Sequence, residues 1–113
     1  MRFEWSQAKN RENLRKHDIE FETARLVSDD PWAISVVDSL HDEDEQRFVT
    51  IGAIGSGSVL YVVHTWKVDV EDDVIRIISA RAASASERRI YEETHQESEA
   101  RYRRHRVEDR RRH

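Results

Sequence analysis

Between Trp32 and Arg81 the chain carries four runs rich in β-branched and aromatic residues, each closed by a polar or glycine-rich connection. This pattern constrains the fold more than any other, because such runs bury well only when paired into a sheet. Trp32 to Val37 precedes the acidic segment Asp38 to Glu45, and Arg47 to Ile54 precedes the turn Gly55-Ser56-Gly57-Ser58. Val59 to Trp66 then leads through the charged connection Lys67 to Asp73 into Val74 to Arg81. The glycine turn predicts a hairpin, and Val59-Leu60-Tyr61-Val62-Val63 reads as a central strand covered on both faces. Regular alternation in the last run places Ile75, Ile77, Ser79 and Arg81 on one face and Val74, Arg76, Ile78 and Ala80 on the other. On this reading Arg76 and Arg81 point apart.

The flanks read as short helices. Arg2-Phe3-Glu4-Trp5 alternates like a strand, Ser6 is a helix cap, and Gln7 to Lys16 contains no Gly, Pro or β-branched residue. Only Ala8 and Leu14 are apolar there, so this helix buries a narrow stripe. Ile19, Phe21, Ala24 and Val27 continue at helical spacing until Asp29-Asp30-Pro31 stops them. Ser84-Ala85-Ser86-Glu87 has the form of a capping box and opens a last helix bearing Arg88, Arg89, Ile90 and Tyr91. The order is β-α-α-β-β-β-β-α. It predicts an α+β fold in which two N-terminal helices pack on an antiparallel β-sheet, followed by a C-terminal helix. Residues 1–93 form the domain, and 94–113 are a charged, Arg-rich extension of the last helix or a disordered tail.

Composition removes several functions. A chain of 113 residues without cysteine has no disulfide framework, thiolate metal site or cysteine nucleophile. Its apolar runs reach about five residues against the roughly 20 that span a bilayer, so no membrane role is expected. An intracellular, cytoplasmic protein is the default expectation. The net charge of −4 argues against general nucleic-acid binding, yet its distribution is uneven. Residues 98–113 hold seven Arg against three acids, and residues 1–97 balance at −8.

Two constellations are candidates for chemistry. Lys9, Asn13, Lys16 and His17 share one side of the first helix, either as a polar functional stripe or as a solvated face with His17 packed near Trp5. Arg76, Arg81, Arg88 and Arg89 supply four guanidinium groups within fourteen residues, suited to phosphate or to structural ion pairing with the acidic loops. The acidic clusters Asp42-Glu43-Asp44-Glu45 and Asp69 to Asp73 lack the spacing of a calcium loop, and the six His form no zinc pattern, so no metal or cofactor is expected.

In order along the chain, Phe3-Glu4-Trp5, Lys9, Asn13, Lys16-His17, Phe21 and Ala24 resemble the opening of BrnT-type toxins from bacterial toxin–antitoxin modules. Arg47-Phe48-Val49-Thr50-Ile51-Gly52, Val62-Val63-His64-Thr65, Ile75 to Arg81, Glu87-Arg88-Arg89 and Tyr91 continue the likeness across residues 2–93. The resemblance implies a RelE-like fold and a metal-independent ribonuclease that arrests growth. It also implies neutralisation by a BrnA-type ribbon-helix-helix antitoxin, in an assembly with two copies of each protein that touches operator DNA only through the antitoxin. Lys16, His17, Arg76 and Arg81 then become the expected catalytic set, with Lys9, Asn13, Arg88, Arg89 and Tyr91 contacting RNA or antitoxin. Asp18 stands where a glycine usually follows the Lys-His pair, and Ala82 and Ser86 replace residues that are often basic. The alternative is a non-catalytic partner that keeps the fold and binds its antitoxin as a corepressor.

Overall fold

The computed structural model describes residues 1–38 and 46–97, so the acidic segment from 39 to 45 and the tail beyond 97 lie outside the described residues. Within them the order is β1 (Arg2–Glu4), α1 (Gln7–His17), α2 (Phe21–Ala24) continuing into a 3-10 helix (Arg25–Asp29), β2 (Ile34–Asp38), β3 (Arg47–Ala53), β4 (Val59–Lys67) and β5 (Val74–Ala82). A third helix, α3, follows over 85–97.

Local chemistry sets the ends of these elements. The Ser6 hydroxyl accepts the Lys9 N–H at 3.3 Å and opens α1. Asp18 closes it in a left-handed conformation at φ 57°, its N–H returning to the Leu14 carbonyl at 2.9 Å. Aspartate tolerates the conformation that glycine usually fills, so the sharp turn survives. The expected capping box forms: the Glu87 N–H donates to Ser84 Oγ at 3.2 Å, and the Ser84 N–H donates to Glu87 Oε1 at 2.7 Å.

The five strands make one sheet in the order β1-β5-β4-β3-β2. Strands β2 to β5 pair antiparallel, as expected. Strand β1 pairs parallel to β5, with Phe3 opposite Ile75, so the sheet is mixed rather than wholly antiparallel. Tight connections force antiparallel neighbours, and no such connection joins β1 to β5. Beyond Arg76 the edge of β5 has no β1 residue to pair with. There the Asn13 side chain substitutes for a strand: its Nδ2 donates to the Ala80 carbonyl at 2.8 Å and its Oδ1 accepts the Ala80 N–H at 3.0 Å.

The core lies on one face, where Phe21, Ala24 and Val27 pack on Leu60, Val62, Ile77 and Ala80. Trp5 meets Phe21 edge-on at 6.2 Å. Gly52 permits the 3-10 helix to approach, since a Cβ there would stand 3.1 Å from the Val27 Cβ and 3.2 Å from the Ala33 Cβ. At the end of the sheet where β5 finishes, α3 is held by three contacts. Glu87 meets Arg81, the Tyr91 hydroxyl donates to Asp30 Oδ2 at 2.6 Å, and His95 lies tilted against Trp32 with ring centroids 4.8 Å apart.

The largest departure from simple alternation lies in β5. Val63 pairs with Ser79, but the next residue, His64, pairs with Ile77. Ile78 is therefore the extra residue of a β-bulge, and the side-chain phase reverses across it. Ile75 and Ile77 face the core before the bulge, and Ala80 faces it afterwards. Arg76, opposite Thr65, and Arg81, opposite Tyr61, consequently share the other face. This corrects the expectation that the two arginines point apart.

Candidate active site

The bulge is where the two sequence constellations meet. A cleft of about 350 Å³ runs between α1 and β5, lined on the helix by Lys9, Glu12, Lys16 and His17 and on the strand by Ile78 and Ser79. Ser79 belongs to the face that carries Arg76 and Arg81. The exposed side of α1 thus continues into the arginine-bearing side of the sheet. Their strand partners Thr65 and Tyr61 are four residues apart, so Arg76 and Arg81 stand about 13 Å from each other along the sheet.

The predicted residues divide by what holds them. Lys9, Lys16 and His17 are exposed. Lys16 Nζ lies 3.0 Å from Glu12 Oε1, one helical turn back. The hydrogen bond and charge of Lys16 hold the Glu12 carboxyl below its ordinary range, with Arg15 adding to the effect. Glu12 was missed by sequence reading, although a carboxylate four residues before Lys16 in the same stripe is its signal. Arg76 is half-exposed and makes one loose contact, 3.5 Å from Glu4 Oε1 across the β1–β5 pair. Arg81 is more constrained: Nη1 and Nη2 donate to Glu87 Oε1 and Oε2 at 2.8 and 2.9 Å, and Cζ sits 3.9 Å over the Tyr61 ring.

That clamp shows in the ionisation of both partners. The Arg81 hydrogen bond, helped by the Ser84 N–H, draws the Glu87 carboxyl down to about 2, and Glu87 in turn raises Arg81. The structural ion pair weighed for the arginines is realised here, with a helix-capping glutamate rather than an acidic loop.

Asn13 and Tyr91 are both buried and hydrogen-bonded within the fold, and Asn13 also borders the cleft. Asn13 is 5% exposed, and besides Ala80 it donates to the Ile19 carbonyl at 2.8 Å. Tyr91 is buried, and that burial together with its bond to Asp30 pushes the phenol up to about 12. Both residues hold elements in place. Arg88 and Arg89 are exposed on the first turns of α3, one position beyond the Arg81 clamp.

The cleft therefore offers an ammonium paired with a carboxylate and an imidazole, and the sheet face beside it carries one loosely held guanidinium, Arg76, and one fixed, Arg81. Cations so placed stabilise an oxyanion, and the imidazole and the Lys16–Glu12 pair are groups that exchange protons.

The α+β fold has a solved neighbour. The 1.1 Å crystal structure of the Brucella abortus ribonuclease toxin BrnT superposes with a TM-score of 0.52 at 21% identity, covering 74% of this chain and 97% of that one. The family described as the ribonuclease toxin, BrnT, of type II toxin–antitoxin systems matches residues 5–87, and the chain belongs to that family. No curated protein matches it. Among the described residues no helix is long and apolar enough to cross a membrane.

Proposed function

We propose that the chain is a metal-independent endoribonuclease of RelE-like type that acts in the cytoplasm and arrests growth by cutting RNA. The observation that carries this reading is the bulge at Ile78, which puts Arg76 on the same sheet face as Ser79, the residue that lines the cleft with Lys9, Glu12, Lys16 and His17. In the reaction a 2′-oxygen bonds to the adjacent phosphorus and the bond to the 5′-oxygen breaks. One proton leaves the 2′-hydroxyl and one reaches the departing oxygen. Arg76 holds the scissile phosphate and stabilises its developing charge, while His17 and the Lys16–Glu12 pair carry the protons. Nitrogen cations line the cleft, so the charge needed at phosphorus comes from the chain itself. Arg81, paired with Glu87, braces the sheet face beside the phosphate site, and Lys9, Arg88 and Arg89 guide the RNA.

The toxin acts within a type II system, and we propose a BrnA-type ribbon-helix-helix antitoxin as its partner, in an assembly with two copies of each. Operator DNA is touched only through the antitoxin. Commitment of Arg81 to Glu87 and of Lys16 to Glu12 favours a second reading, a non-catalytic antitoxin-binding partner. Expression of Arg76→Ala and of His17→Ala separates the two. On the nuclease reading each loses growth arrest and RNA cleavage while its thermal melt stays at the wild-type position. Full toxicity of Arg76→Ala overturns the assignment, and a wild-type chain that neither arrests growth nor cuts RNA establishes the second reading.

A further inference from the structure

The face opposite the arginines carries a second concavity. A pocket of about 160 Å³ opens between the 3-10 helix and the sheet, walled by Phe3, Val27, Val62, Trp66, Ile75 and Ile77. Its volume is comparable to cavities of about 150 Å³ that accept a benzene-sized group. The polar groups at its floor are already satisfied. Thr50 Oγ1 lies 2.7 Å from both Ser35 Oγ and His64 Nε2, and His64 Nδ1 lies 3.3 Å from the Thr65 carbonyl. The floor therefore asks nothing of a guest but apolar contact.

The mouth adds a second selection. Met1 and Trp66 line the pocket and are 57% and 39% exposed. Trp66 leads into the connection between β4 and β5, and the N-terminal ammonium of Met1 is bonded to Asp72 in that connection. Val68 and Val70 there are among the most exposed apolar side chains of the molecule, at 79% and 101%. Between and after them stand Asp69, Glu71, Asp72 and Asp73 against the single base Lys67. Arg25, also at the mouth, is neutralised by Glu22 at 2.9 Å. The apolar socket thus adjoins, through Trp66 and the Met1–Asp72 contact, a connection that carries two exposed valines and four acids.

We propose that this pocket is the anchor site for the antitoxin, which inserts one large apolar side chain from a segment rich in Lys and Arg. The inference rests on the toxin–antitoxin reading and adds the surface and the chemistry of the segment. Large apolar anchors in desolvated pockets dominate binding energy, while rim charges set partner choice and on-rate. A second copy of this chain is the poorer occupant, because it brings the same acidic rim. The socket and the arginine cleft lie on opposite faces, so docking and toxicity separate by mutation.

Two variants test it against the protein encoded beside this chain, by calorimetry with the full-length toxin. Ser28→Trp places an indole over the mouth from the exposed side of the 3-10 helix, and Asp69→Lys with Glu71→Lys reverses the rim. Each is expected to weaken association at least tenfold, to abolish rescue in co-expression, and to leave toxicity alone unchanged. Wild-type affinity should fall as salt rises, and the rim variant should flatten that dependence. Affinities within twofold of wild type in both variants overturn the anchor site while the toxin–antitoxin reading stands. Absence of any wild-type association overturns both. Concentration-dependent dimers of the toxin that Ser28→Trp dissolves would assign the socket to a second copy and overturn the proposal.

Discussion

Asn13 is a polar residue on a polar helix, and its amide nevertheless does the work of a missing strand segment. It answers both hydrogen-bonding groups of Ala80 and holds the Ile19 carbonyl as the chain turns into α2. Asn13→Ala leaves these buried groups without partners and is expected to cost about 2–4 kcal/mol, read from urea unfolding. Asn13→Asp should be at least as damaging, since a carboxylate cannot donate to either carbonyl. The sequence displays this residue as part of a stripe, and nothing local distinguishes an amide that pairs with distant backbone from one that awaits a ligand. His64 behaves similarly. Burial among Phe48, Thr50 and Thr65 lowers its pKa below the ordinary imidazole value. Since the unfolded chain then takes up a proton more readily, stability is complete above about pH 6.5 and declines as pH falls below it. Thermal melts between pH 7.5 and 5 should show this decline, and His64→Gln should reduce it.

At the scale of elements, caps and alternation were legible because they are written in neighbouring residues. Ser6, the Ser84–Glu87 box and the Gly55–Ser58 turn each act within four positions, and each forms as the sequence predicts. The bulge was not legible, since an extra residue in β5 exists only relative to its partner β4. The parallel pairing of β1 was hidden for the same reason, because it joins residues more than seventy positions apart. These two long-range features decide where the candidate site lies. Element placement also gives Glu87 two tasks, capping α3 and fixing Arg81. Glu87→Ala should cost about 2 kcal/mol, combining the lost cap with the broken bidentate pair. The carboxyl is drawn down to about 2 in the fold, so its stabilisation is present above the ordinary glutamate range and is lost as pH drops from about 4.5 toward 2. Chemical denaturation at pH 7 and pH 3 should show the gap between Glu87→Ala and wild type narrowing at the lower value.

Over the whole molecule, on the proposed nuclease reading, an acidic chain binds an anionic substrate with few charges. In the described domain Lys9 and Lys16 line the cleft, Lys16 paired with Glu12, while Arg76 and Arg81 lie on the adjoining sheet face, Arg76 loosely against Glu4 and Arg81 held by Glu87. If three of these neutralise RNA phosphates, counterion release gives a slope of log affinity against log salt near −2, at about −0.7 per contact for a single strand. That is a shallow dependence for an RNA-binding protein, and it suits an enzyme that engages a few nucleotides and releases its products. Fluorescence anisotropy with a short RNA, from 50 to 300 mM salt, measures it. Arg76→Ala should reduce the slope by about 0.7 and lose cleavage, whereas Ser28→Trp on the opposite face should alter neither. A slope steeper than about −5 would bring the seven arginines beyond residue 97 into the contact, and would move the seat of RNA affinity from the cleft to the tail.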